Sequence, residues 1–76
     1  METKVRQVMA LVLDVPEAEI GEGFSSSTIG TWDSIRHLNL IMAIEDAFHV
    51  SFSSEEIGTL DSYDAIVHAL RRLDAA

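Results

Sequence analysis

Apolar residues recur at helical spacing in three separate stretches of this chain. Near the start, Val5, Val8, Met9 and Val12 fall at i, i+3, i+4 and i+7. That stripe predicts a helix over about residues 2–14. Lys4, Arg6 and Gln7 lie off it, and Pro16 disfavours helical backbone at Val15, so the helix should stop near Asp14. Toward the end, Tyr63, Ile66, Val67, Leu70 and Leu73 give another stripe, predicting a helix over about residues 61–73. Arg71 and Arg72 then sit in its final turn, where the helix dipole favours cations. The middle stretch, about residues 34–48, carries two stripes. Leu40, Ile44 and Phe48 make one, with Ile41 beside it; Ile35, Leu38 and Met42 make the other, on roughly the opposite side. A central helix buried all round would explain both. However, three helices in so short a chain leave few neighbours to cover two sides, and an exposed apolar stripe would serve as a docking surface.

The segments between these stripes read as connections. Residues 15–32 form a long one, rich in Gly, Ser and Thr from Gly21 to Thr31. Ile20, Phe24, Ile29 and Trp32 interrupt it and are expected to pin it to the helices. A loop this long in a small domain is either functional or misassigned. The functional reading is preferred because the loop delivers Ser34 to a helix start. After the middle helix comes a short Val50–Phe52 segment. Ser53 and Glu56 then match a capping box, predicting a short helix at 54–57 stopped by Gly58. The predicted fold is all-α: a small antiparallel bundle of three main helices and one short one, a single domain over residues 1–76.

Composition narrows the function. Thirteen Asp/Glu against five Lys/Arg give a formal net charge of −8. Nucleic acid needs a basic footprint and is excluded on that ground; basic partner surfaces fit, with steering that weakens in salt. From residue 45 to 64 the charged residues are Glu45, Asp46, Glu55, Glu56, Asp61 and Asp64, with no Lys or Arg. Together they are expected to give one side a negative field that would hold divalent cations loosely. Cysteine is absent, so any thiol chemistry must come from an added group. No run reads as a signal peptide or membrane span, and a cytoplasmic monomer is expected.

The chemistry-bearing candidates cluster at the start of the middle helix. Asp33 is the natural N-cap, and it places the Ser34 hydroxyl where unpaired backbone N–H groups and the positive dipole end favour an attached phosphate. Asp61-Ser62 is a second such pair and reads as structural. His37 is one turn from Ser34, but a hydrolase also needs an oriented base, an oxyanion hole and a pocket, for which this chain has little volume. His37 is instead expected to be solvated or to face a partner. Glu45, Asp46 and His49 have metal-compatible spacing but read as a solvated helix end. His68 has no assigned role.

The run Trp32-Asp33-Ser34-Ile35 is followed by Ile-x-x-Leu-x-Leu-Ile-Met-x-Ile-x-x-x-Phe, a capped short helix and a final helix. That arrangement covers nearly the whole chain and resembles the acyl carrier proteins. The resemblance implies their helical fold and a non-enzymatic role. It implies a 4′-phosphopantetheine arm on Ser34, taken from coenzyme A by a phosphopantetheinyl transferase. The arm's thiol would present acyl thioesters to acyl-loading and acyl-processing enzymes. Asp33 matches the acidic neighbour that the transferase recognises. Leu38 and Met42 fall where the family docks partners, with Ile35 near the arm, and methionine suits a surface that meets several of them. Arg36 lies in the same recognition region. Fatty-acid-synthesis carriers usually have acidic residues there, whereas this chain has Arg36 and Asn39. It looks more like standalone carriers of polyketide or other specialised pathways. Peptidyl carriers usually have Gly and His before the serine, and Thr31-Trp32-Asp33 has neither. The remaining alternatives are a fatty-acid-synthesis carrier and, in a different class, a helical protein-binding adaptor without a prosthetic group.

Overall fold

A computed structural model describes residues 2–30 and 32–75; Thr31, the end of the Gly/Ser/Thr-rich run, lies outside the described residues. The elements are α1 (Glu2–Leu13), a single 3₁₀ turn (Glu17–Glu19), α2 (Ser34–Phe48), α3 (Ser54–Ile57) and α4 (Tyr63–Ala75). Among the described residues there is no strand, only an isolated antiparallel bridge between Ser25 and Ser62. The predicted all-α bundle, three main helices and one short one, is what forms. Within α1 the buried line is Val5, Met9 and Leu13, with Val8 and Val12 half-buried on its flanks. They pack with Leu40, Ile41 and Ile44 of α2 and Tyr63, Ile66, Val67, Ala69 and Leu70 of α4. No helix of the described residues is long and apolar enough to cross a membrane.

Polar contacts fix the helix directions. Lys4 Nζ at the start of α1 donates to Ala47 O at the end of α2 (2.9 Å), while Arg36 Nη1 at the start of α2 donates to Val12 O near the end of α1 (2.8 Å). Arg71 of α4 pairs with Glu2 at 3.1 Å, and Arg6 Nη1 donates to Tyr63 Oη at 3.1 Å. So α1 runs against both α2 and α4, which share a direction. The Arg71–Glu2 pair is largely exposed, so it orients more than it stabilises.

Two expected boundaries shift. The last helix begins at Tyr63, not near residue 61, because Ser62 Oγ accepts the Ala65 N–H (3.1 Å) and makes Ser62 the cap. It also continues to Ala75, past the expected end at residue 73. The first helix ends at Leu13, with Asp14 in left-handed backbone (φ 57°) and Val15 N–H reaching back to Ala10 O (3.3 Å). His49 ends α2 in the same way, at φ 55°, with Val50 N–H on Glu45 O (3.1 Å). Both are Schellman-type endings, which usually place glycine at the left-handed position. His49→Gly should relieve the Cβ strain there, worth about 1 kcal/mol, or a melting temperature about 4–8 °C higher at this chain size. Thermal melts check this; a lower melting temperature would mean that imidazole contacts outweigh the strain.

The long connection is ordered by packing and by stitches to the start of α4. Ile20, Phe24 and Trp32 are buried and Ile29 is half-buried against the core, as expected. Ser26 N–H donates to Asp61 O, and Tyr63 N–H donates to Phe24 O, each at 2.9 Å. Gly23 N–H donates to Asp64 Oδ2 (3.2 Å) from left-handed backbone at φ 85°, where a side chain would be strained.

Candidate functional site at the start of α2

Asp33 is extended (φ −98°, ψ −176°), and its Oδ1 accepts the Arg36 N–H at 2.9 Å. The carboxylate therefore does the capping, and Ser34 becomes the first helical residue. Its side chain is exposed, and among the described residues nothing hydrogen-bonds its hydroxyl. The other Asp-Ser pair is built one residue out of phase. At Asp61-Ser62 the serine is the cap and its hydroxyl is occupied by Ala65 N–H. The dipeptide is the same; the helix register leaves one hydroxyl available and uses the other. Within α2 the N–H groups of Ser34 and Ile35 have no intrahelical partner, because the first turn lacks acceptors behind it.

The second stripe of α2 faces solvent. Ile35 is 72% exposed, Leu38 56% and Met42 65%, whereas Leu40, Ile41 and Ile44 on the other side are buried and Phe48 is half-buried. Past Met42 the stripe runs into a shallow, open depression lined by Met42, Ala43, Glu45, Asp46, Val50 and Ser51. Sequence reasoning did not single out this depression, nor Leu11, which is 83% exposed on α1. Leu11 could have been found as the apolar residue lying off the α1 stripe.

Two residues of this region are more tied down than expected. The Arg36 guanidinium, expected in the partner-recognition region, is anchored within the fold. It is half-buried and donates to Val12 O, where the negative end of the α1 dipole holds it. Arg36→Glu should therefore cost about 1 kcal/mol, because a carboxylate would lose this bond and face carbonyl oxygens. Urea denaturation checks this, and an unchanged midpoint would show that the guanidinium is free for a partner.

His37, expected to be solvated or to face a partner, is half-buried and bonded within the fold. Its Nδ1 accepts the Trp32 Nε1–H at 3.0 Å, and its Nε2 lies 2.7 Å from Ile57 O. A carbonyl only accepts, so Nε2 carries the proton and the ring is the neutral Nε2–H tautomer. Both ring nitrogens are engaged, and neither is left to act on Ser34. Phe24 also lies against Trp32, with ring centroids 6.1 Å apart. No periodicity could have signalled the Ile57 contact, which spans 20 positions.

The acidic stretch is less uniform than its sequence suggests. Glu45 Oε2 accepts the Phe52 N–H at 2.8 Å and folds residues 50–52 back along α2. Glu56 closes the predicted capping box with Ser53 and also pairs with Arg72 of α4 at 2.7 Å. Asp64 holds Gly23 N–H. Asp46, Glu55 and Asp61 are exposed. Among the described residues no group of three or more His, Asp or Glu is placed to hold a metal ion. No protein-family model matches the chain, and no curated protein matches it.

Proposed function

We propose that this chain is an acyl carrier protein that holds acyl intermediates as thioesters on a 4′-phosphopantetheine arm attached to Ser34. The observation that carries the reading is the conjunction at the start of α2: an exposed, unoccupied serine hydroxyl at the first helical position, capped from Asp33, beside the exposed stripe of Ile35, Leu38 and Met42. Ser34 Oγ would be the attachment atom, linked through a phosphodiester. The Ser34 and Ile35 N–H groups and the positive dipole end favour the phosphate there. Asp33 keeps the first turn wound and presents an acidic neighbour to a phosphopantetheinyl transferase. When bound, the arm supplies the thiol that this cysteine-free chain lacks. Leu38 and Met42 form the apolar contact that transferase, acyl-loading and acyl-processing enzymes would share. A non-catalytic role is supported by His37, whose ring is engaged on both sides.

Arg36 and Asn39 stand where fatty-acid-synthesis carriers usually have acids, which favours a polyketide or other specialised pathway. The anchoring of Arg36 on Val12 leaves Asn39 as the freer of the two signals. The adaptor reading also uses the exposed stripe but gives no reason for the open hydroxyl beside it. Incubation with coenzyme A and a promiscuous phosphopantetheinyl transferase, followed by intact mass and peptide mapping, separates the two. One phosphopantetheinyl group on Ser34 is the expected result. No transfer with several transferases would leave the adaptor.

Asp33→Ala should cost about 1 kcal/mol of stability through the lost cap. It should also slow transfer to Ser34 by more than that loss explains, measured as loading rate at a temperature where both proteins are fully folded. A rate equal to the unmodified chain's would confine Asp33 to capping.

A further inference from the structure

We infer that Trp32, His37 and Ile57 form a proton-operated clasp that ties the end of the long connection, through α2, to α3. The inference rests on hydrogen-bond geometry and is separate from the carrier reading. His37 is the only link in the chain of contacts that must be neutral to work. Trp32 Nε1–H can only donate, so it needs a bare Nδ1 lone pair at 3.0 Å; Ile57 O can only accept, so it needs Nε2–H at 2.7 Å. A second proton on the ring goes to Nδ1 and sets N–H against N–H. The Ile57 bond survives that change and the Trp32 bond does not. The clasp therefore opens on the side of the connection and stays closed on the side of α3.

Attraction between an imidazolium and the indole face does not compensate. The ring planes are 26° apart with centroids 6.0 Å apart, and the two nitrogens are 3.0 Å apart. The rings thus lie edge beside edge, and the charge would meet the indole N–H, its positive rim, instead of its π face. The ring is half-buried, so a proton can reach it.

The charged groups on the elements it bridges are already committed or do not bond the ring. On its own helix, Asp33 Oδ1 accepts Arg36 N–H, and the Arg36 guanidinium is on Val12 O. On α3, Glu56 takes Ser53 N–H and Arg72 of α4, and Glu55 is exposed. Asp61, beyond α3, is exposed, with its backbone carbonyl on Ser26. The connection brings Trp32 to the ring, with Phe24 against Trp32. No carboxylate among the described residues hydrogen-bonds His37, so none stands ready to take Trp32's place and hold the ring when it charges.

What opening would release is specific. Trp32 immediately precedes Asp33 and Ser34, so losing its hydrogen bond frees the segment that feeds the helix start, while Phe24 and the core keep the indole buried.

The test uses the intact chain and its single tryptophan. At about pH 8, nitrogen-15 NMR should show a scalar coupling across the hydrogen bond between Trp32 Nε1 and His37 Nδ1. As the sample is titrated toward acid and the His37 ring takes its second proton, that coupling should vanish. The indole N–H signal should move with the same midpoint as the His37 ring protons. Its protection from exchange, taken relative to free indole at the same pH, should fall on the order of tenfold, as expected for one lost hydrogen bond. A His49→Asn/His68→Gln variant, which leaves His37 as the sole histidine, should behave identically, and His37→Gln should give an indole signal indifferent to pH. The inference is overturned by absence of the coupling at pH 8, by an indole signal that stays fixed while His37 titrates, or by a His37 ring that remains neutral down to acid unfolding. All three are read on the unsubstituted chain, so a poorly folding variant does not decide the matter.

Discussion

Ser34→Ala should abolish phosphopantetheine loading while leaving the helical circular dichroism and the melting temperature almost unchanged. The side chain is exposed, and no described residue hydrogen-bonds its hydroxyl, so removing the oxygen breaks nothing that holds the fold. Asp33 supplies the cap, and alanine is the best helix former at an exposed helical position. Ser62→Ala is the matched control with the opposite outcome. It removes the Oγ that accepts Ala65 N–H, so it should cost about 1 kcal/mol and leave loading intact. The pair of variants thus predicts a crossed result: function lost without stability at one Asp-Ser, stability lost without function at the other. Loading of the Ser34→Ala chain at another position, or its unfolding, would remove Ser34 from the carrier role.

Truncation along α2 should divide just as sharply. Leu40 and Ile44 are completely buried, and replacing such a residue by alanine costs about 2–5 kcal/mol. That is a large share of the total for a domain of this size. Leu38→Ala and Met42→Ala remove side chains that are more than half exposed, and should stay within about 0.5 kcal/mol. The proposed docking role adds a second axis: the exposed pair should slow transfer or acyl loading, and the buried pair should affect it only through unfolding. Denaturation midpoints and loading kinetics for the four alanine variants decide it. Equal losses of stability at Leu38 and Leu40 would make the second stripe part of the core.

The two-stripe pattern of α2 was legible because helical geometry alone assigns faces. Exposure was expected from the few neighbours available: α2 packs chiefly on α1, and the side carrying Ile35, Leu38 and Met42 is left uncovered. The caps at Asp33 and Ser53 were legible because they satisfy N–H groups three positions away. Ser62 was not assigned as a cap, because the last helix was started at about residue 61; the Ser62 Oγ bond to Ala65 N–H moves that start to Tyr63. The 3₁₀ turn after Pro16 was also missed; it is a local closure of Glu19 N–H on Pro16 O at 3.0 Å, with no apolar period to mark it. At the site, the exposed serine could be anticipated, but the anchoring of Arg36 and His37 could not. Their acceptors, Val12 O and Ile57 O, are backbone carbonyls that any residue carries, so side-chain identity leaves no trace of them.

The opposed course of α1 gives the molecule two unlike poles. Glu2 and Arg71 meet at one, and Val12 and Arg36 at the other, beside Ser34. Glu2 and Val12 stand ten positions apart on α1, or about 15 Å of helix. Whatever is joined at either extremity of the described chain, whether an affinity handle, a bead or a neighbouring domain, is anchored at the far pole from the serine. The domain can therefore be leashed from behind while its leading end stays clear, which suits the proposed carrier role.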